Sequence, residues 1–183
     1  MVRHPPRARG DVATSGPAAP LIVTAELPAD LQGWAEGLRR RHYPPERNQV
    51  PAHVTLFHAL PPSCEAELRD ALAAVSRCSP PPARLEGVMS LGGGTAFRLS
   101  SPAMLALRAE LAERLHGLLS AQDDHPPRLH VTVQNKVTAK QAKALQAELA
   151  AAFQPRDFAF AGLALHAWRG GPWETLKRWS FRG

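Results

Sequence analysis

Two histidines, each followed two residues later by a threonine, are the side chains in this sequence best suited to chemistry: His53-Val54-Thr55-Leu56 and His130-Val131-Thr132-Val133. On a β-strand, residues i and i+2 share a face, so each tetrad sets an imidazole beside a hydroxyl while Val54 and Val131 point the other way. Two such strands facing one another make a pocket with two proton carriers and two hydroxyl donors. Opening a cyclic phosphodiester needs a base for the attacking oxygen and an acid for the departing one, on opposite sides of phosphorus. Histidine suits both roles, because its unperturbed pKa of about 6.5 lets one ring be neutral while the other is charged. Each such proton transfer contributes on the order of 10²- to 10⁴-fold. The threonine hydroxyls would donate to the non-bridging oxygens, where negative charge gathers.

The tetrads are useful only if the chain brings them together. Before the first lie a strand-like run from Leu21 to Leu27 and a helix-like stretch with Leu31, Trp34 and Leu38 at helical spacing. After it come Pro61-Pro62, a helix-like stretch with Leu68, Leu72 and Val75, and a strand-like run from Arg84 to Leu91. The second tetrad has the same surroundings. Thr95 to Leu99 reads as a strand, and Ser101-Pro102 starts a helix carrying Met104, Leu107, Leu111, Leu115 and Leu118. Beyond it, Thr138 and Gln141 form a capping-box pattern for a helix with Leu145 and Leu149, which Pro155 ends; Phe158 to Trp168 then reads as one strand. The order strand, helix, motif strand, helix, strand therefore occurs twice, and we read an internal duplication with halves at about 21–94 and 95–168. A final strand within 173–183 completes a single domain over 21–183.

The paired His-x-Thr tetrads, their place in each half, and Pro45-Glu46-Arg47-Asn48 leading into Pro51-Ala52-His53 resemble the 2H phosphoesterase superfamily, in its bacterial 2′-5′ RNA ligase or LigT-like branch. The resemblance implies an α+β fold, bilobal and duplicated, with antiparallel sheets lining a central groove and helices packed outside. It implies metal-independent cleavage of RNA 2′,3′-cyclic phosphates, with 2′-5′ ligation as the reverse reaction. It also implies that His53, Thr55, His130 and Thr132 are catalytic and that no cofactor is needed.

The remaining candidates rank below these four. Arg128, two residues before His130, would share that ring's face on a regular strand and contact the substrate phosphate. Arg47, Arg98 and Lys136 are weaker candidates for the same role. Phe57 has the strand parity of His53 and Thr55, so it is expected at the groove edge as a base-stacking wall or, equally, in the core. His58 has the opposite parity and should face away. His166 lies on a strand whose facing the sequence does not fix. There is no His-Glu-x-x-His, no Cys-x-x-Cys and no carboxylate cluster beside either tetrad, and Cys64 and Cys78 read as reduced thiols, so we expect no metal. Gly92-Gly93-Gly94 leads into a strand rather than a helix, which fits a hairpin better than a phosphate loop. Trp168 to Trp173, followed by Trp179 and Phe181 among basic residues, reads as a Gly-Gly turn into the last strand, with nucleic-acid contact as the rival.

Composition frames these readings. A formal net charge of +6 favours an anionic partner such as RNA ends or a small cyclic-phosphate nucleotide. With 183 residues, 44% of them apolar, the chain can build one sizeable core. Residues 1–20 are basic and rich in Pro and Ala, and are expected to be a disordered tail. That tail has no apolar stretch of signal-peptide type and no run is long enough to span a bilayer, so a cytoplasmic protein without membrane attachment is expected; a monomer is expected because the internal duplication already supplies a two-sided site. Two other function classes stand behind the enzyme: a non-catalytic RNA- or nucleotide-binding module using the same groove, and a zinc-dependent hydrolase.

Overall fold

In a computed structural model, which describes residues 19–183, the chain forms eight strands and four helices in an α+β arrangement. In chain order these are β1 (Leu21–Glu26), α1 (Ala29–His42), β2 (Val54–Leu60), α2 (Glu65–Val75), β3 (Pro82–Ser90), β4 (Thr95–Ser100), α3 (Pro102–Arg114), β5 (His130–Gln134), α4 (Ala139–Ala152), β6 (Arg156–Ala159), β7 (Gly162–Ala167) and β8 (Glu174–Ser180). All but two residues of the expected tail lie outside the described residues.

The helices form where the apolar spacing and end signals place them. Leu31, Ala35 and Leu38 bury one stripe of α1, and Leu68, Leu72 and Val75 do so for α2. Ser101 caps α3 by accepting from the Met104 amide at 3.1 Å, with Pro102 at the first helical position. Thr138 and Gln141 close the capping box of α4 in both directions. The helix α3 stops at Arg114, short of the Leu118 that its apolar spacing reached.

The strands form two four-stranded antiparallel sheets, ordered β2-β1-β7-β8 and β5-β4-β3-β6. Matching β1 with β4 and β2 with β5 makes the third strands, β7 and β3, correspond as well. Each sheet takes that third strand from the other half of the sequence, so both halves are needed to build either sheet. Residues from both sheets join one continuous hydrophobic core, including Val23, Val54, Leu85, Phe97, Val131 and Leu165.

The expected strand over Phe158–Trp168 divides in two. The Phe160 amide donates to the Pro81 carbonyl beside β3, and the next amide, Ala161, donates to the Glu26 carbonyl of β1. The chain therefore steps from one sheet to the other between these residues, leaving β6 on the second sheet and β7 on the first. Periodicity cannot register such a step, because the apolar run continues through it. Gly92–Gly94 forms the β3–β4 hairpin, where a Cβ on Gly94 would collide with the Gln134 carbonyl. The segment Trp168–Trp173 turns into β8, and Trp179 and Phe181 are buried in the core.

Candidate active site

Burial alternates along both tetrads as a half-buried strand requires. Val54 and Leu56 are fully buried, as are Val131 and Val133, whereas His53, Thr55, His130 and Thr132 are half-buried on the opposite face. The motif strands β2 and β5 belong to different sheets yet approach within 8 Å, Cα to Cα. His130 lies close enough to His53 to disfavour its charged form.

Each ring is held the same way. His53 Nδ1 lies 2.7 Å from the Pro51 carbonyl, and His130 Nδ1 lies 2.7 Å from the Arg128 carbonyl. A carbonyl oxygen only accepts, so in both rings Nδ1 carries the proton and Nε2 is left to accept or donate one.

Both motif strands also carry a β-bulge immediately after the threonine. Thr24 faces Thr55 but Val23 faces Phe57, leaving Leu56 unpaired; Ala96 faces Thr132 but Thr95 faces Gln134, leaving Val133 unpaired. The first bulge corrects the placement of Phe57. Strand parity is reset at Leu56, so Phe57 turns into the core at 0% exposure, where the Arg108 guanidinium lies 4.5 Å from its ring centroid. It is not a groove wall. The buried Asp123 carboxylate secures this bulge, accepting from the His58 and Ala59 amides at 2.9–3.0 Å and contacting His58 Nδ1 at 2.9 Å. Burial alone would raise the Asp123 pKa, but these hydrogen bonds hold it at about 2.

One face of α1 fixes the first motif and ties it to the second, which the sequence reading missed. Gln32, Glu36 and Arg39 follow one another at helical spacing. Glu36 accepts from the Ala52 amide at 2.5 Å, and Gln32 donates to the Ala52 carbonyl at 2.9 Å. Arg39, only 2% exposed, donates to the Val50 carbonyl at 2.8 Å, the Asn48 side chain at 3.1 Å and the Thr132 carbonyl at 2.8 Å. Asn48 thus belongs to a clamp beneath His53. The helical spacing of Gln32, Glu36 and Arg39 beside the apolar stripe was the available signal, but sequence alone does not say which side of the stripe is covered.

The two rings differ in their surroundings. Trp173 packs on His53 with centroids 4.6 Å apart. Burial lowers the His53 pKa to about 4, with the positive Arg39 and nearby His130 acting in the same direction, against the Pro51 bond and Glu36. Next to it, His166 Nε2 lies 2.9 Å from Thr24 Oγ1 and Nδ1 lies 3.1 Å from Thr175 Oγ1; burial pushes this ring to about 4 as well. Beside His130, Arg98 occupies the facing position on β4, exposed and paired with Glu86 at 3.0 Å. Arg128 is exposed and next but one to His130, outside the regular strand. Arg47 and Lys136 are exposed, on a short turn of 3-10 helix and after β5. Cys64 and Cys78 are free thiols. Among the described residues, no group of three or more His, Cys, Asp or Glu side chains gathers as metal ligands, and no helix is long and apolar enough to cross a membrane.

Comparison with known proteins places this arrangement. The sequence profile of the 2′-5′ RNA ligase superfamily matches residues 27–172. Among solved structures, TT0787 of Thermus thermophilus is similar at 18% identity and a TM-score of 0.63, over 90% of this chain and 98% of its own. The E. coli LigT complex with NADP+ is similar at 18% identity and 0.61, over 91% and 99%. The LigT complex with 3′-AMP is similar at 19% identity and 0.56, over 91% and 99%. Among curated proteins, none matches by sequence.

Proposed function

Since the chain belongs to the 2′-5′ RNA ligase superfamily, we propose that it is a phosphodiesterase opening 2′,3′-cyclic phosphates of RNA ends or nucleotides by two-histidine acid-base catalysis, with 2′-5′ joining as the reverse reaction. The observation that carries this is the matched pair of rings, each with Nδ1 fixed on a carbonyl and Nε2 left for proton transfer. A phosphorus atom between them would have one ring on the side of the entering oxygen and the other on the side of the leaving oxygen, as in-line displacement requires. One Nε2 accepts a proton while the other donates, and the roles exchange with the direction of reaction. Thr55 and Thr132, on the faces of their histidines, donate to the non-bridging oxygens. Arg128, exposed and next but one to His130, supplies positive charge on that side, where Arg98 is already paired with Glu86. The crystallised complexes of E. coli LigT with 3′-AMP, ATP and NADP+ support a nucleotide or RNA end as the ligand here too.

The test is hydrolysis of a 2′,3′-cyclic nucleotide and of a short RNA ending in a 2′,3′-cyclic phosphate, with EDTA present, by the wild type, His53→Ala and His130→Ala. Turnover that resists EDTA and collapses in each variant is expected. Loss of turnover with EDTA alone would point to a metal hydrolase. A folded wild type that binds these ligands without turning them over would be a binding module.

A further inference from the structure

Arg178 lines two cavities. One, of about 400 Å³, lies beside His53 and is walled by Trp173 and His166. The other, of about 390 Å³, lies where the edge strand β8 meets the end of α2. Arg77, Lys177, Arg182, Trp179 and Ser180 line it, and no acidic side chain does. Trp179 and Phe181 turn into the core, so the basic residues interleaved with them are what this segment presents to solvent. Arg77, Lys177 and Arg182 are exposed and make no ion pair among the described residues, whereas Arg178 is paired with Glu26 at 2.5 Å. The Lys177 ammonium lies 5.3 Å from the Trp179 ring centroid, a contact that holds its charge in place without neutralising it. Trp179 Nε1 is buried and has no acceptor among the described residues.

The fold itself needs little of this charge. The helix α2 ends at Val75 with no basic residue in its last turn, and a helix C-terminus carries only about half a negative charge. Arg77, two residues beyond, meets that need alone. Lys177 and Arg182 add further positive charge around the same cavity, and an anion entering it relieves their mutual repulsion. We propose that this cavity is a secondary RNA-backbone site, holding a phosphodiester of a chain whose reacting end lies between the two motif histidines. The assignment rests on the phosphodiesterase reading and names its substrate as an RNA chain rather than a free nucleotide. A mononucleotide has its one phosphate engaged between the histidines, so the anion held here comes from further along a chain. At about 3.3 Å per residue, β8 runs about 17 Å from Thr175, beside the first cavity, to Ser180, beside the second. A chain of a few nucleotides is needed to touch both.

The experiment compares a 2′,3′-cyclic mononucleotide with an RNA of about eight nucleotides ending in a 2′,3′-cyclic phosphate. The proteins are the wild type, the triple variant Arg77→Gln, Lys177→Gln, Arg182→Gln, and the single variant Arg77→Glu, each checked for folding by circular dichroism. The longer RNA should have about tenfold higher kcat/KM in the wild type at low salt, mostly through KM. The triple variant should lose that gain and keep its turnover of the mononucleotide, and Arg77→Glu should lose part of it. Equal kcat/KM for the two lengths in the wild type, or a gain that survives in the triple variant, would overturn the site while leaving the phosphodiesterase standing. If neither substrate is turned over, fluorescence anisotropy of the labelled RNA carrying a 3′-phosphate tests the site without the enzyme. Each phosphate contact contributes about 0.7 to the slope of log affinity against log salt, so the triple variant should lower that slope by about 2. An unchanged slope, or a triple variant that binds RNA normally but no longer binds phosphatidylserine vesicles, would overturn the RNA assignment.

Discussion

His53 and His130 occupy equivalent places in equivalent strands, with the same carbonyl anchor and the same bulge after the following threonine, yet their environments diverge. His53 lies under Trp173, is pushed to about 4 by burial, and sits on a peptide gripped by α1. His130 stands beside the exposed Arg98 and Arg128. What the site needs from each strand, a fixed ring beside a hydroxyl, is held in common, while what lies beyond each ring differs. A symmetric frame thus presents two unlike flanks, an aromatic one beside His53 and an exposed basic one beside His130.

The common part is tested by removing it. His53→Ala and His130→Ala should each lower kcat/KM by roughly 10²- to 10⁴-fold; a variant retaining near wild-type turnover would end the equivalence of the rings. Thr55→Val and Thr132→Val should each reduce kcat by about 10²-fold, as loss of one preorganised donor does, with little change in KM.

Arg39 connects the two sides, so its loss should damage both. In Arg39→Met the Val50 and Thr132 carbonyls and the Asn48 side chain lose a buried donor, at about 1–3 kcal/mol for each group left unsatisfied. Urea unfolding and kcat read together would check this; unchanged stability would mean that other donors replace the guanidinium.

The divergent part predicts a pH dependence. His166 has a folded pKa of about 4 and an ordinary value near 6.5, so the unfolded chain binds more protons between those limits. Stability is therefore complete above about pH 6.5 and declines as pH falls toward 4, by up to about 3 kcal/mol from this residue when fully protonated. The urea midpoint should fall over that window, and less steeply in His166→Asn. The His53 ring should titrate by NMR near pH 4 and shift upward when inorganic phosphate binds. The smallest effects belong to the rim: Arg98→Ala and Arg128→Ala should raise KM for a cyclic-phosphate RNA a few-fold at low salt, and less as salt is added.

Much of this was legible in the sequence because it rests on local rules. Ser101 and the Thr138–Gln141 pair mark helix starts through bonds made within one turn, and the i, i+2 alternation puts each histidine with its threonine regardless of what the strands pack against. Phe57 departs from its strand parity because a bulge is set by the partner strand, Asp123 and Arg108, residues far away in the chain. The step from β6 to β7 was hidden for a similar reason, since both strands are apolar and only their partners differ.

The sequence by itself therefore determined the two His-x-Thr strands and the order of elements around them, because side-chain alternation and helix capping depend on neighbours a few residues apart. Tertiary structure decided what those strands meet: the exchange of β3 and β7 between sheets, the grip of Arg39 across both motifs, and the aromatic cavity beside His53. These depend on contacts between residues far apart in the chain, such as Arg39 with Thr132 and His53 with Trp173. Their geometry is fixed only when the whole core closes.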